Sequence, residues 1–382
     1  MKKKILFMMD SLTCGGAEKS LVSLLPLLDY KKADVTLMLV GRGGVFECYV
    51  PKEVRVVTLS QPQSIKMHLA KLYYSLQYRF NRLRNKQEHE AETLWKCIGA
   101  VYPELKETYD CAVAYQQGFP TYYIANKVLA TKKFCWVNTD MRKAGYDINF
   151  NADVYDKYTK IIAVSDAVHA DLKHQGYVRD ISKIITIYDI LNPVLIRKMA
   201  LEKGFEDNYK GVRLVTVGRM TPPKSYDLAV RAADELRKRG YKFRWSFVGD
   251  GVSRPRIESM IAEYNLEGYI ELLGEKANPY PYMAVCDIYV QTSSFEGFGL
   301  TVTEARILGK AEVCTNFPSA YNQIINGETG LICEMTPIAV ADKIELLLTD
   351  NTLRSKLEAN VAKEVNHTVE TEGAKVHILL EL

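Results

Sequence analysis

The chain has 382 residues, of which 47% are hydrophobic and 25% charged, and its 50 Lys and Arg nearly balance 46 Asp and Glu to leave a formal charge of +4. That length suits two domains with separate cores, and that charge excludes a global nucleic-acid-binding role, so no nucleic-acid partner is expected. The eight cysteines are scattered singly, with no CxxC and no paired Cys/His spacing, which argues against zinc and for reduced thiols in a reducing, cytoplasmic compartment.

In chain order, the opening MKKKILFMMDSL has a basic start and a short apolar run that ends at Asp10 without a cleavage-like pattern, so Lys4 to Met9 reads as a first strand. A glycine turn from Asp10 to Gly16 and a helical pattern from Ala17 to Leu28 follow. A strand, a glycine turn and a helix at an α/β N-terminus predict a doubly wound sheet with ligand above the strand ends. Asp34 to Val40 and Val54 to Leu59 are the next strands. From Lys66 to Asn85 the pattern becomes helical, with Leu69, Leu72, Tyr73, Leu76, Phe80 and Leu83 near one stripe and Lys66, Lys71, Arg79, Arg82, Arg84 and Lys86 supplying positive charge. Two readings stay open for this helix: it lies on an anionic membrane surface, or it packs on the sheet with a solvated basic face.

Tyr109 to Tyr115, Lys133 to Val137 and Lys160 to Val164 read as further strands. Polar residues stand at their carboxyl ends: Gln116, Gln117 and Gly118, then Asn138, Thr139 and Asp140, then Ser165 and Asp166. Ser165 and Asp166 are helix caps, and His169 and His174 read as surface or loop residues. After a short strand from Ile184 to Ile187, Asn192-Pro193 marks a turn in the candidate linker, which divides the chain into residues 1–190 and 191–382.

The second half repeats the alternation, with strands at Val212 to Val217, Tyr241 to Val248, Tyr269 to Leu272, Ile288 to Val290, Ala311 to Cys314 and Leu331 to Ile332. Helices fall near Ser225 to Arg239, Ser253 to Tyr264, Tyr280 to Val285, Leu300 to Leu308 and Ile338 to Leu348, and the last helix of the chain is a candidate to cross back to the first domain. Two cations, Arg219 and Lys224, follow the first of these strands, and such a pair over a cleft can neutralise a diphosphate without a metal. The most informative stretch runs from Asp287 to Gly309. It reads as strand, glycine-bracketed loop (Glu296-Gly297-Phe298-Gly299) and helix, and the unpaired amides that open such a helix welcome an anion. Glu296 and Glu304 frame the loop as acceptors for sugar or ribose hydroxyls, so the ligand expected here carries both phosphate and hydroxyls.

The pattern Glu296-GFGLTVT-Glu304 resembles the signature of the retaining glycosyltransferases of family 4, also called group 1. The resemblance implies a GT-B fold, two Rossmann-like domains facing across a cleft, with acceptor on the N-terminal side and a nucleotide-activated sugar on the C-terminal side. It implies that Glu296 faces the donor sugar, that amides of Phe298, Gly299, Leu300 and Thr301 hold sugar hydroxyls and diphosphate, and that Glu304 holds the ribose. GGAE at Gly15-Gly16 is similar to the family's first loop in the cleft, GR followed by K matches Arg219 and Lys224, and Gly249 and Leu273 fall where the family contacts the nucleotide. Two departures stand out. Ser225 follows Lys224 where glycine is usual, and Asn138 stands in WVNTDMRKAGY where the family has a histidine. An amide cannot take a proton near neutrality, so no histidine base operates there. The family's front-face mechanism needs none, because the leaving phosphate can accept the acceptor proton.

What the resemblance implies is a retaining, metal-independent hexosyltransferase of bacterial polysaccharide synthesis. It has no cofactor, uses a nucleoside diphosphate sugar with UDP-sugar favoured over GDP-sugar, and acts on a saccharide or lipid-linked saccharide acceptor. A lipid-linked acceptor with peripheral attachment at the inner face of the plasma membrane would account for the basic helix under the first of its two readings; under the second the enzyme is expected in the cytoplasm without that attachment. The alternatives are a nucleotide-sugar epimerase of the same fold and a non-catalytic nucleotide-sugar-binding scaffold.

Overall fold

The computed structural model describes residues 2–13, 15–83, 88–363 and 368–382; the expectations for Cys14, Arg84, Asn85, Lys86 and the side chain of Arg82 lie outside the described residues. The chain divides into two compact units, Met1–Ile190 with Thr368–Leu382, and Leu191–His367.

The first unit contains β1 (Lys3–Met9), α1 (Gly16–Leu24), β2 (Ala33–Leu39), β3 (Arg55–Thr58), α2 (Ile65–Leu83), α3 (Glu90–Ile98), β4 (Thr108–Ala114), α4 (Phe119–Lys127), β5 (Leu129–Val137), α5 (Ile148–Tyr155), β6 (Lys160–Ala163), α6 (Asp166–Gln175) and β7 (Ile184–Thr186). All pairings are parallel, in the order β3-β2-β1-β4-β5-β6-β7. A parallel sheet is covered by helices on both faces, so its strands lose the apolar/polar alternation. β1 shows this: Ile5 to Met9 are all fully buried. The strand order reverses between β1 and β4, which places a crevice at the carboxyl ends of those two strands.

The second unit contains α7 (Pro193–Met199), β8 (Val212–Val217), α8 (Tyr226–Lys238), β9 (Phe243–Val248), α9 (Arg254–Glu263), β10 (Ile270–Gly274), α10 (Tyr280–Ala284), β11 (Ile288–Gln291), α11 (Leu300–Ile307), β12 (Ala311–Thr315), β13 (Leu331–Cys333), α12 (Pro337–Thr349) and α13 (Asn351–Lys363). Its sheet runs β10-β9-β8-β11-β12-β13, again parallel, and the order reverses between β8 and β11. The core packs Leu214, Trp245, Phe247, Ile288 and Val290 of the sheet against the buried face of α8, which includes Val230 and Leu236. Each such aliphatic side chain contributes about 1.5–3 kcal/mol when fully buried.

The last element, α14 (Thr368–Leu380), belongs to the first unit. Its Val376 and Leu380 are fully buried, and Glu372 accepts the Tyr188 amide at 2.9 Å. Glu381, just beyond it, takes Lys3 at 2.5 Å and also Lys132.

Three local expectations change. α1 stops at Leu24 rather than Leu28, and a 3-10 turn covers Leu25–Leu27, because Pro26 has no amide to donate into the helical ladder. Asn192-Pro193 opens a helix instead of a turn: the Asn192 side chain accepts the amides of Val194 and Leu195, both at 3.1 Å. His169 is not a loop residue; it lies in α6 and shares a hydrogen bond of 2.9 Å with Thr186 of β7.

Candidate active site

In the second unit the strand-end residues of β8 and β11 converge at the point where strand order reverses. Lys224 Nζ donates to both carboxylate oxygens of Glu296, at 2.5 and 2.7 Å. Glu296 is largely buried, and it also accepts from Ser293 Oγ at 2.5 Å and Gln291 Nε2 at 3.0 Å. Gln291 is held in turn by the Tyr289 hydroxyl, which donates to its Oε1 at 2.6 Å. A low-dielectric surround strengthens such charge-assisted bonds and fixes the carboxylate in one orientation. The two loops are stitched by backbone as well, with the Ser294 amide on the Pro223 carbonyl at 2.7 Å and Thr292 Oγ1 on the Lys224 carbonyl at 3.1 Å.

Arg219 is exposed, with no side-chain hydrogen bond or ion pair to the described residues. It is the uncommitted cation of the pair. Ser225, where the family has glycine, sits at φ 47° and ψ 46°. That is left-handed backbone, which a side chain disfavours by roughly 1–2 kcal/mol.

Gly299 opens α11 at φ 87°, and no side chain caps the helix. The amides of Leu300 and Thr301 stand in its first turn, where a helix has no internal acceptor. Phe298 is buried, and its carbonyl accepts from Gln323 Nε2, so its side of the loop is fixed. Glu304 is fully buried and accepts the Tyr280 hydroxyl at 3.0 Å. Leu273 falls at a bulge: β10 pairs with β9 through Leu272 and Gly274, leaving Leu273 without a partner in the register. Gly249 has a structural task. A Cβ there would lie 1.9 Å from the Gly218 carbonyl oxygen, and its amide donates to Gly274 at 2.8 Å. That amide is therefore spent within the protein.

The first unit gathers its own polar strand ends. Asn138 donates its amide to Gln117 Oε1 at 3.0 Å, while its side-chain oxygen is buried without a hydrogen-bond partner. Asp10, at the end of β1, accepts from Gln116 Nε2 at 2.5 Å. Burial, with the nearby Glu18 carboxylate, raises its pKa to about 6. Gly15 precedes α1 and Gly16 begins it; the Glu18 carboxylate folds so close over Gly15 that a Cβ there would meet it at 2.2 Å. Sequence reasoning singled out neither Gln291 and Ser293, which hold Glu296, nor Asp10. The signal available was position: all three are polar residues at or just beyond the carboxyl end of an apolar strand.

Residues 202–364 match the family described as glycosyl transferases group 1. The chain is a glycosyltransferase. Over 367 residues it is 26% identical to the N-acetylgalactosamine-N,N'-diacetylbacillosaminyl-diphospho-undecaprenol 4-alpha-N-acetylgalactosaminyltransferase of Campylobacter jejuni, covering 92% of each chain. It is also 26% identical over 221 residues to the capsular polysaccharide biosynthesis glycosyltransferase CapM of Staphylococcus aureus, covering 55% of this chain and 57% of that one. The crystal structure of Anabaena HepE in complex with UDP and glucose superimposes with a TM-score of 0.72 at 18% identity over 99% of both chains. With its two parallel-sheet units, this glycosyltransferase has the GT-B fold. Its relatives belong to bacterial polysaccharide and glycolipid synthesis, and neither the epimerase nor the scaffold alternative draws support from them. Among the described residues of the glycosyltransferase, no three His, Cys, Asp or Glu side chains cluster as metal ligands, and no helix is long and apolar enough to cross a membrane.

Proposed function

We propose that the enzyme transfers a hexosyl group, with retention and without a metal, from a nucleoside diphosphate sugar to a hydroxyl of a saccharide or lipid-linked saccharide. The observation that carries this reading is the Lys224–Glu296 pair beside the open helix end at Gly299. UDP-sugar is the favoured donor, in keeping with the UDP found in the Anabaena relative. No cofactor is required.

In this reading the bond between the sugar C1 and the phosphate oxygen breaks while the acceptor oxygen bonds to C1 on the same face. The acceptor proton passes to the leaving phosphate. Arg219 and Lys224 neutralise the charge that grows on the diphosphate, and the Leu300 and Thr301 amides add fixed donors at the same place. Glu296, oriented by Gln291 and Ser293, holds the donor sugar, and Glu304 takes the ribose hydroxyls in exchange for its bond to Tyr280. The bulged backbone at Leu273 serves the base, and Gly15, Gly16 and Asn138 line the acceptor side in the first unit, with Gly249 shaping the nucleotide pocket rather than donating to it. The enzyme works in the cytoplasm, at the inner face of the plasma membrane when its acceptor is lipid-linked.

Calorimetric titration with UDP, GDP and ADP, each with magnesium and with chelator, tests the donor site. Metal-independent UDP binding in the micromolar range, weakened by both Arg219→Ala and Glu304→Ala, is expected. Absence of binding to all three nucleotides, or binding only with magnesium, overturns the reading. The anomeric configuration of the first-formed product, read by NMR, tests retention.

A further inference from the structure

Beyond the donor loop, the sheet edge of the second unit has another opening, bordered by Asn316 after β12 and Glu334 after β13. Its volume of about 410 Å³ falls within the roughly 300–1,000 Å³ of small-molecule sites. The floor is apolar and comes from Ile332 and Cys333 of the edge strand and Ala339 of α12. Ala339, Asp342 and Lys343 stand three and four residues apart, so one face of α12 serves both floor and rim. Tyr321 also lines the recess; it is 62% exposed, and its hydroxyl makes no hydrogen bond among the described residues.

The polar groups around this floor have spare hydrogen-bonding capacity of both kinds. Asn316 Nδ2 donates to Glu334 at 2.8 Å and leaves its Oδ1 uncommitted, while Asn326 Oδ1 accepts the Ile332 amide at 2.9 Å and leaves its Nδ2 uncommitted. The Lys343 ammonium has no partner among the described residues. Arg239 meets Asp342 at 2.7 Å but is shared with Glu345, and Glu334 offsets Lys343, so the recess has no surplus of positive charge for a phosphate or carboxylate. A neutral pyranose meets every condition. Its C–H face suits an apolar floor and the electron-rich face of a tyrosine, and its hydroxyls both donate and accept.

The recess also abuts the donor loop. Tyr321 lies on the 3-10 turn Pro318–Asn322, and from the same turn Ser319 Oγ donates to the Glu296 carbonyl at 3.2 Å, while Gln323, next in sequence, donates to the Phe298 carbonyl. One short segment thus lines the recess and braces the loop that carries Glu296.

We propose that this recess is a saccharide subsite, apart from the donor pocket, that takes one neutral pyranose residue of a saccharide chain with Tyr321 as its stacking platform. It rests on the transferase reading only for the class of ligand.

Saturation-transfer difference NMR of the full chain with maltotriose and with chitotriose, each in excess UDP so that the nucleotide pocket is filled, is the test. Saturation of the ring protons of at least one trisaccharide is expected. Tyr321→Ala should weaken that binding about tenfold and Lys343→Met about threefold, whereas Tyr321→Phe should keep it within about twofold. Circular dichroism melting and UDP calorimetry, unchanged in all three variants, show that the fold and the donor pocket are intact. A wild type that binds UDP but neither trisaccharide overturns the subsite and leaves the transferase reading standing. Binding that Tyr321→Ala and Lys343→Met leave at wild-type strength also overturns it, since the sugar then sits elsewhere. A chain that binds a trisaccharide in a Tyr321-dependent manner and yet no UDP supports the subsite and refutes the donor reading instead.

Discussion

Lys224 and Glu296 lie 72 residues apart in sequence, yet the ammonium of one sits within 2.7 Å of both carboxylate oxygens of the other. The pair joins the loop after β8 to the loop after β11, the two strands that meet where the sheet order reverses. Truncating one partner of a largely buried pair leaves the other charge unmatched. Lys224→Met should therefore lower kcat by about 10²–10³-fold, the range seen when a preorganised transition-state donor is removed. It should also destabilise the second unit by roughly 3 kcal/mol. Steady-state kinetics and urea unfolding separate the two effects.

Ser225 occupies left-handed backbone next to this pair. Replacing it with glycine removes the clash of Cβ with its own carbonyl, offset in part by greater freedom of the unfolded chain. Ser225→Gly should raise stability by about 0.5–1 kcal/mol, read as an upward shift of the urea midpoint with an unchanged slope.

Gly249 is the reverse case. Its backbone has φ 147°, and a methyl group would collide with the Gly218 carbonyl. Gly249→Ala should destabilise by about 3 kcal/mol or more, through displacement of the β8 end. Loss of nucleotide affinity without loss of stability would show that the residue acts on ligand directly.

Asp189 is buried in the first unit with one carboxylate oxygen lacking a partner, and burial raises its pKa to about 7 while Ser20 opposes that shift. The folded protein thus holds a proton on it that the unfolded chain has already lost, across the window from about pH 4 to pH 7. Stability contributed by the protonated group is present below the unfolded pKa and falls as pH rises through that window. Asp189→Asn should flatten the slope and raise stability at pH 8 by about 3 kcal/mol. Urea titrations at several pH values measure it.

The strand runs were legible because a parallel sheet buries both faces, so Ile5 to Met9 or Ile288 to Val290 stand out without any need for periodicity. The motif residues Arg219, Lys224, Glu296 and Glu304 were legible as residue types at strand ends. What they touch was not. Nothing in the spacing says that Lys224 pairs with Glu296, that Gln291 and Ser293 orient the same carboxylate, or that Glu304 is closed over by Tyr280. Those contacts depend on strand order, and the reversals at β1/β4 and β8/β11 are long-range facts. The α2 stripe gave its periodicity to the sequence but not its direction. A helical pattern says that one side is apolar; only packing says which side meets the protein.

The first unit is assembled from two pieces of chain separated by the whole of the second, since α14 returns to it after residue 367. A ribosome therefore releases the seven-stranded sheet long before the helix that completes it. Lys3 and Lys132 wait for Glu381, and the Tyr188 amide waits for Glu372. The second unit, being continuous, can mature meanwhile. For the nascent chain this makes closure of the first unit a late event, and a chain cut before Thr368 lacks the helix that buries Val376 and Leu380, a natural target for quality control.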